Sequence, residues 1–309
     1  MKLTERLLVL GMALIQTAAL GADWNPKLTA EYLDNRQQEW FAWAPTKSIG
    51  GPCVSCHTGV TYLMARPLLR RALGEAQPTA YETGLLNGLR ARAAKREPKD
   101  ISAYLKEPAS TQAIGVESIL AALFLAREDE PRGVLGPQTL KAFDRLWDLQ
   151  QKDGKLKGAW AWYDFSLDPY ETADSAFYGA TLAAMAIGST PKSYRDQEEV
   201  KVRISALNGY LSSAYPQQPL HNQLMLAWAS TKLRGTLSNA VIRSLVEETL
   251  KKQQGDGGWT MASLGPWKEN TVVKPPSGSD SYAILVHKCA LPNVIYRHQL
   301  DPSIATNLW

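Results

Sequence analysis

The sequence predicts an all-α protein: an α/α toroid in which about five outer and inner helix pairs close into a ring. Three observations lead there. Apolar residues recur at helical spacing along the chain, and no convincing alternation marks a strand. Polar helices alternate with shorter helices that are apolar on every side. One pattern of polar helix, turn, tryptophan, loop and apolar helix also returns several times.

The first segment lies outside this scheme. Residues 1–22 read as a secretory leader. Lys2 and Arg6 are basic, and Leu7–Leu20 is an apolar run too short for a comfortable membrane span. The small residues Ala18, Ala19, Gly21 and Ala22 follow. An uncleaved anchor helix is the other reading of this stretch. The expectation is export, most simply to a bacterial periplasm, without stable membrane insertion. Residues 23–309 then form a single domain. The chain is 45% apolar and 21% charged, enough for one sizeable core. Its net charge of +4, without a long basic run, argues against nucleic acid as a partner.

Polar outer helices are predicted at Leu28–Trp43, Tyr81–Ala94, Thr139–Leu149, Val200–Leu211 and Ala240–Leu250. Apolar inner helices are clearest at Ser118–Ala126 and Ser175–Gly188. The repeat is sharpest in two places. "QQKDGKLKGAWAWYDFSLDPYETADSAFYGATLAAMAIG" starts at Gln150, and "QQGDGGWTMASLGPWKENTVVKPPSGSDSYAILVHKCAL" starts at Gln253. Both run Gln-x-x-Asp-Gly, Trp, loop, Asp-Ser, apolar helix. An earlier copy keeps its second half, with Glu117-Ser118 in the Asp-Ser place. A fourth has His221-Asn222 there, and in the N-terminal segment His57 falls at about the same place. One pair cannot bury its own inner helix, so successive pairs must stack. Small residues such as Gly179, Ala180, Ala183 and Ala184 let inner helices approach closely.

Gln150-x-x-Asp153-Gly154 with Trp160, and Gln253-x-x-Asp256-Gly257-x-Trp259, resemble the QW repeats of squalene–hopene cyclases and related terpene cyclases. The resemblance runs over roughly residues 115–291, and it implies the α/α toroid that protein-prenyltransferase β-subunits share. It implies less about chemistry. The Asp-x-Asp-Asp acid motif of the hopene cyclases does not occur, nor does the Asp-Asp-x-x-Asp diphosphate motif of ionising terpene synthases.

Only three cysteines occur, so no disulfide scaffold is expected. Two lie in "GPCVSCHTG", as Cys53-x-x-Cys56-His57. In an exported chain this spacing has a mechanical meaning. Two thiols add to the two vinyl groups of one haem, and the adjacent imidazole becomes the proximal iron ligand. The local run "SCHTG" resembles c-type cytochromes. A Cys53–Cys56 redox disulfide and a zinc site, with ligands added from elsewhere, are the competing readings. The motif is expected at the start of an inner helix, after the Gly50-Gly51-Pro52 break. Met64 would then sit two turns along that helix, unable to reach the far haem face.

If the inner helices share one direction, His57, Glu117, Asp174, His221 and Asp280 gather on one rim. His221 is then the candidate sixth ligand, with a surface loop histidine after Pro219 as its alternative. Glu117, Asp174 and Asp280 are candidate proton-handling groups, or simply helix-capping acids. Trp160 and Trp162 are candidate pocket walls around the haem, or repeat-packing residues. Cys289 reads as a buried structural thiol.

The expected protein is thus a periplasmic haem c toroid. It transfers electrons to a redox partner or oxidises a small or apolar ligand in its cavity. A zinc-dependent terpenoid or prenyl-type enzyme is the alternative. A polysaccharide lyase ranks last, since no Tyr/His/Arg constellation of that kind stands out.

Overall fold

The computed structural model describes residues 25–43, 53–54, 58–95, 97–101, 106–166, 169–254 and 258–267. Their regular elements are all helices, and they contain no strand. The elements are α1 (Pro26–Ala42), α2 (Gly59–Ala72), α3 (Ala80–Ala93), α4 (Ala109–Asp129) and α5 (Pro137–Leu149). They continue as α6 (Ser175–Gly188), α7 (Lys192–Arg195), α8 (Glu198–Ala214), α9 (Leu220–Lys232) and α10 (Asn239–Lys251).

Burial separates them into two kinds. Helix α4 is buried without interruption from Gly115 to Ala126, and α6 from Ser175 to Ile187. Helix α9 is buried over nearly all of Leu220–Ser230. These three have no polar face and must be enclosed. They pack in succession, α4 on α6 and α6 on α9. The other kind buries one stripe. Helix α5 turns Thr139, Ala142, Phe143, Arg145 and Leu146 inward, and α10 turns Ile242, Leu245, Val246 and Thr249 inward. Helix α3 packs on α4, α5 on α4, α8 on α6 and α10 on α9. The predicted alternation of enclosed and one-sided helices is therefore present.

The apolar helix read as Ser118–Ala126 starts nine residues earlier than expected, at Ala109. Its first two turns carry polar residues that hide it from an apolar pattern. Glu117 is consequently not a first-turn acid but lies in the third turn of α4. The first two residues of the cysteine motif also differ from expectation. Cys53 and Val54 are non-helical, and α2 begins only at Gly59. Pro67 sits inside α2, and its missing N–H weakens that helix locally.

The Gln-x-x-Asp-Gly turns have a clear physical role. As α5 ends, its last carbonyls lose their helical donors. The Trp160 indole donates to Leu146 O at 2.7 Å. In the second copy the Trp259 indole donates to Thr249 O, also at 2.7 Å. Each acceptor lies four residues before the repeat's glutamine, although the tryptophans follow those glutamines at different spacings. The next backbone link matches too: Gln151 N donates to Ala159 O, and Gln254 N to Gly258 O. The buried Gln150 side chain donates to Gly158 O and to Arg203 O of α8, each at 3.0 Å. One turn is thereby stitched to the next outer helix. Gly158 stands at φ +91°, and a Cβ there would lie 2.1 Å from Ala206 O. Only glycine permits that approach.

The N-terminal pair is locked by charge. Arg66, buried on α2, forms a two-pronged pair with Asp34 of α1 at 3.0 and 3.1 Å and reaches Glu75 at 2.7 Å. Tyr62 donates to Asp34 at 2.7 Å. Thr79 and Glu82 cap α3 reciprocally in a capping box.

Trp160→Phe keeps the ring's bulk but strands the Leu146 carbonyl. It should cost about 1–3 kcal/mol in chemical denaturation. Trp43→Phe, at a side chain 55% exposed, should stay within about 0.5 kcal/mol.

Candidate functional site

Two buried clusters carry the polar chemistry. The first lies where the cysteine motif meets α4. The chain before α2 is held by the Trp40 indole, which donates to Cys53 O at 2.9 Å. Val54 is buried and packs on Gly59 at the start of α2. The Cys53 side chain is half-buried and free of any disulfide. Burial pushes its thiol up to about 11, against the pull of Arg92, and Glu117 adds to the rise. It is therefore a neutral thiol at physiological pH, unlike the low-pKa nucleophile of a redox dithiol.

Glu117 comes from α4, Arg92 from α3 and Arg145 from α5, and all three are buried. Burial raises the Glu117 pKa, and Arg92 and Arg145 oppose that rise. Arg145 also donates to Arg92 O at 3.1 Å, tying α5 to the end of α3. Neither arginine was anticipated. In "LRARAAKR" Arg92 looks like one more solvated charge, and Arg145 sits in a polar helix. Only the three-residue offset of Arg145 from Ala142, on the stripe that also carries Leu146, hinted at an inward position.

The second cluster is an aromatic enclosure around His221, which is fully buried at the start of α9. This removes the surface-loop alternative. Its Nδ1 lies 2.9 Å from Asn222 Oδ1. Its ring meets Tyr170 at 5.5 Å, Tyr178 at 5.7 Å and Trp267 at 6.1 Å. Trp162 closes the far side, edge-on to Tyr178 at 5.7 Å, and donates to Tyr170 O at 2.7 Å. Burial lowers the His221 pKa to about 4, and the Asn222 bond opposes the drop. The imidazole is neutral and able to act as a ligand or acceptor.

The segment from Trp160 to Trp162 runs between α4 and α6. Ala161 lies so close to α4 that a Cβ on Gly115 would sit 2.1 Å from its carbonyl oxygen. Trp162 lies so close to α6 that a Cβ on Gly179 would sit 2.2 Å from its ring. The segment is thus wedged against both enclosed helices, two residues from Glu117 on one side and one residue from Tyr178 on the other. Trp162 belongs to the His221 enclosure. Trp160 faces the other way, onto Trp147 at 6.2 Å, as a packing residue of its turn.

Asp174 does not join either cluster. It is exposed at the start of α6, and its carboxyl caps nothing there. The buried Ser175 does the local work, accepting from Thr172 N at 2.8 Å. Cys56, His57, Asp280 and Cys289 lie outside the described residues. Among the described residues, no three His, Cys, Asp or Glu side chains gather as a metal cage. Among the described residues, one helical stretch, Ala109–Arg132, is long and apolar enough to cross a membrane, and it is mostly buried as the α4 core.

Comparison with family models, with curated proteins and with solved structures finds no match to this chain.

The buried His221 makes stability pH-dependent. Its folded pKa lies below the unfolded value of 6.5, so the unfolded chain binds more protons between pH 6.5 and about 4. Stability should be constant above that window and fall within it, by up to roughly 3 kcal/mol. Denaturation melts from pH 7 to 4 test this, and His221→Gln should flatten that part of the profile.

Proposed function

We propose that this chain is an exported redox protein, an α/α toroid carrying one covalent haem c. The observation that carries the reading is the Cys53-x-x-Cys56-His57 motif at the entrance to α2, behind a leader-like N-terminus. Cys53 and Cys56 would hold the haem by thioether bonds and His57 would ligate the iron. When bound, the haem supplies one-electron chemistry.

The described residues fit that group in three respects. Cys53 is a neutral thiol outside any disulfide, half-buried at the core's edge. Its backbone is fixed by Trp40, which orients the attachment point. A buried carboxyl and two buried guanidiniums lie within electrostatic reach of the thiol or of one another. In a low-dielectric setting such fixed charges act strongly on any charge change nearby. Glu117 is positioned to hold or release a proton there, and Arg92 and Arg145 resist its protonation. Trp162 and the His221 enclosure offer an apolar, water-poor wall and one neutral imidazole, suited to an apolar ligand or to the sixth iron position.

The ring closure belongs to the same proposal. Successive packing of α4, α6 and α9, each backed by an outer helix, supports a toroid. The second Gln–Trp turn after α10 would lead into a further inner helix near residues 281–291, where Asp280 stands at the start. The haem would then lie on one rim, facing the cavity.

Expression with haem-attachment machinery should give a Soret band and a c-type pyridine haemochrome, both lost in Cys53→Ala/Cys56→Ala. Zinc without iron in the purified protein would replace this reading by the prenyl-type alternative. A ferrous spectrum that shifts under CO assigns ligand oxidation, and one that does not assigns electron transfer.

A further inference from the structure

A cleft of about 720 Å³ opens between α7, α8 and the end of α9, apart from both buried clusters. That is the size of a small-molecule site. Its lining is dominated by cations: Lys192, Arg195, Lys201, Lys232 and Arg234, against the single carboxylate of Asp196. We propose that it binds a small organic phosphate monoester bearing a hydroxyl group.

Charge decides the ligand's sign. Lys192 bonds Asp196 at 2.6 Å, and Lys201 and Arg195 add to the field that lowers the Asp196 pKa. Three cations thus converge on one carboxylate, which stands where a ligand anion would sit. Two more acids flank the cleft, Glu198 on Lys201 at 2.7 Å and Glu130 on Lys232 at 2.5 Å. Five cations against three acids leave two positive charges, which a dianion neutralises.

The existing pairs are also easy to exchange. Lys192 and Asp196 are 80% and 49% exposed, and Lys201 and Glu198 are 51% and 87% exposed. Exposed pairs of this kind contribute little, so a phosphate with three oxygens can take over their cations. Arg234 is exposed beside them as a further donor.

The remaining lining specifies the organic part. Asn208 Oδ1 is buried and lacks a hydrogen-bond donor. A buried acceptor without a donor is costly, and a ligand hydroxyl would satisfy it. Ile204 and Leu233 give the carbon body an apolar wall. Arg195 is held in place through the carbonyls of Gly188 and Thr190 at the end of α6, so its charge is built into the cleft rather than swinging in solvent.

The test is calorimetric titration of the full chain with glycerol 3-phosphate, inorganic phosphate and phosphatidylglycerol vesicles. Saturable binding of glycerol 3-phosphate is expected, weakened by salt and tighter than inorganic phosphate. Lys201→Gln with Arg234→Gln should weaken it about a hundredfold, roughly tenfold for each of the two charge-assisted bonds lost. Asp196→Asn should tighten it severalfold, by removing the competing carboxylate. These are surface positions, so the fold should survive each change. No saturable binding, or an affinity indifferent to the double variant, would overturn the proposal. Capture by vesicles without binding of free glycerol 3-phosphate would also overturn it, giving the cleft to a membrane headgroup instead. This site stands independently of the haem reading.

Discussion

Everything in this structure follows from helices that have no outside. Helices α4 and α6 are buried on every face over most of their length. An apolar cylinder of that kind has no stable position at a surface. It must be flanked by other inner helices and backed by outer ones. Sidechain volume then sets how near the neighbours come. Where a neighbouring backbone or ring comes this close, only glycine fits, as Gly115 does against the Ala161 carbonyl and Gly179 against the Trp162 ring. The outer helices need only one apolar stripe each, and α5 and α10 supply it at three- and four-residue intervals.

The Gln–Trp turns translate this constraint into connectivity. An outer helix that ends against a core must give its last carbonyls new donors. An indole N–H does so in both clear copies, on the carbonyl four residues before the glutamine. The glutamine side chain then bridges to the following outer helix. The loop between glutamine and tryptophan differs in length, yet the end-point is the same. What recurs is therefore a hydrogen-bond arrangement more than a sequence spacing, and it accounts for the weak similarity of the remaining copies.

This explains what could be read in advance. The outer helices were legible because a one-sided stripe leaves a period, and α6 was read to the residue because it is apolar from end to end. The start of α4 was hidden, since "ASTQAIGVE" is polar in sequence but buried in part by packing. The motif at Cys53 was legible as chemistry, but the backbone at Cys53 and Val54 is non-helical where a helix was expected to begin. Arg92 and Arg145 gave almost no signal, because a buried arginine and a solvated one look alike in a single sequence. The burial of His221 was equally unreadable. It depends on Tyr170 and Tyr178, at and just before the start of α6, and on Trp267, about ninety residues later in the chain.

The candidate haem segment is set on this frame rather than added beside it. Trp40 fixes the Cys53 carbonyl in the N-terminal pair, as other indoles fix helix-end carbonyls in later pairs. The covalent haem is the claim on which the functional account stands. It is tested most directly by the intact mass of the chain, expressed with haem-attachment machinery and purified under denaturing conditions. The account predicts a chain without its leader, heavier by one haem. A leaderless chain at the mass of its unmodified polypeptide, produced with active attachment machinery, would contradict it.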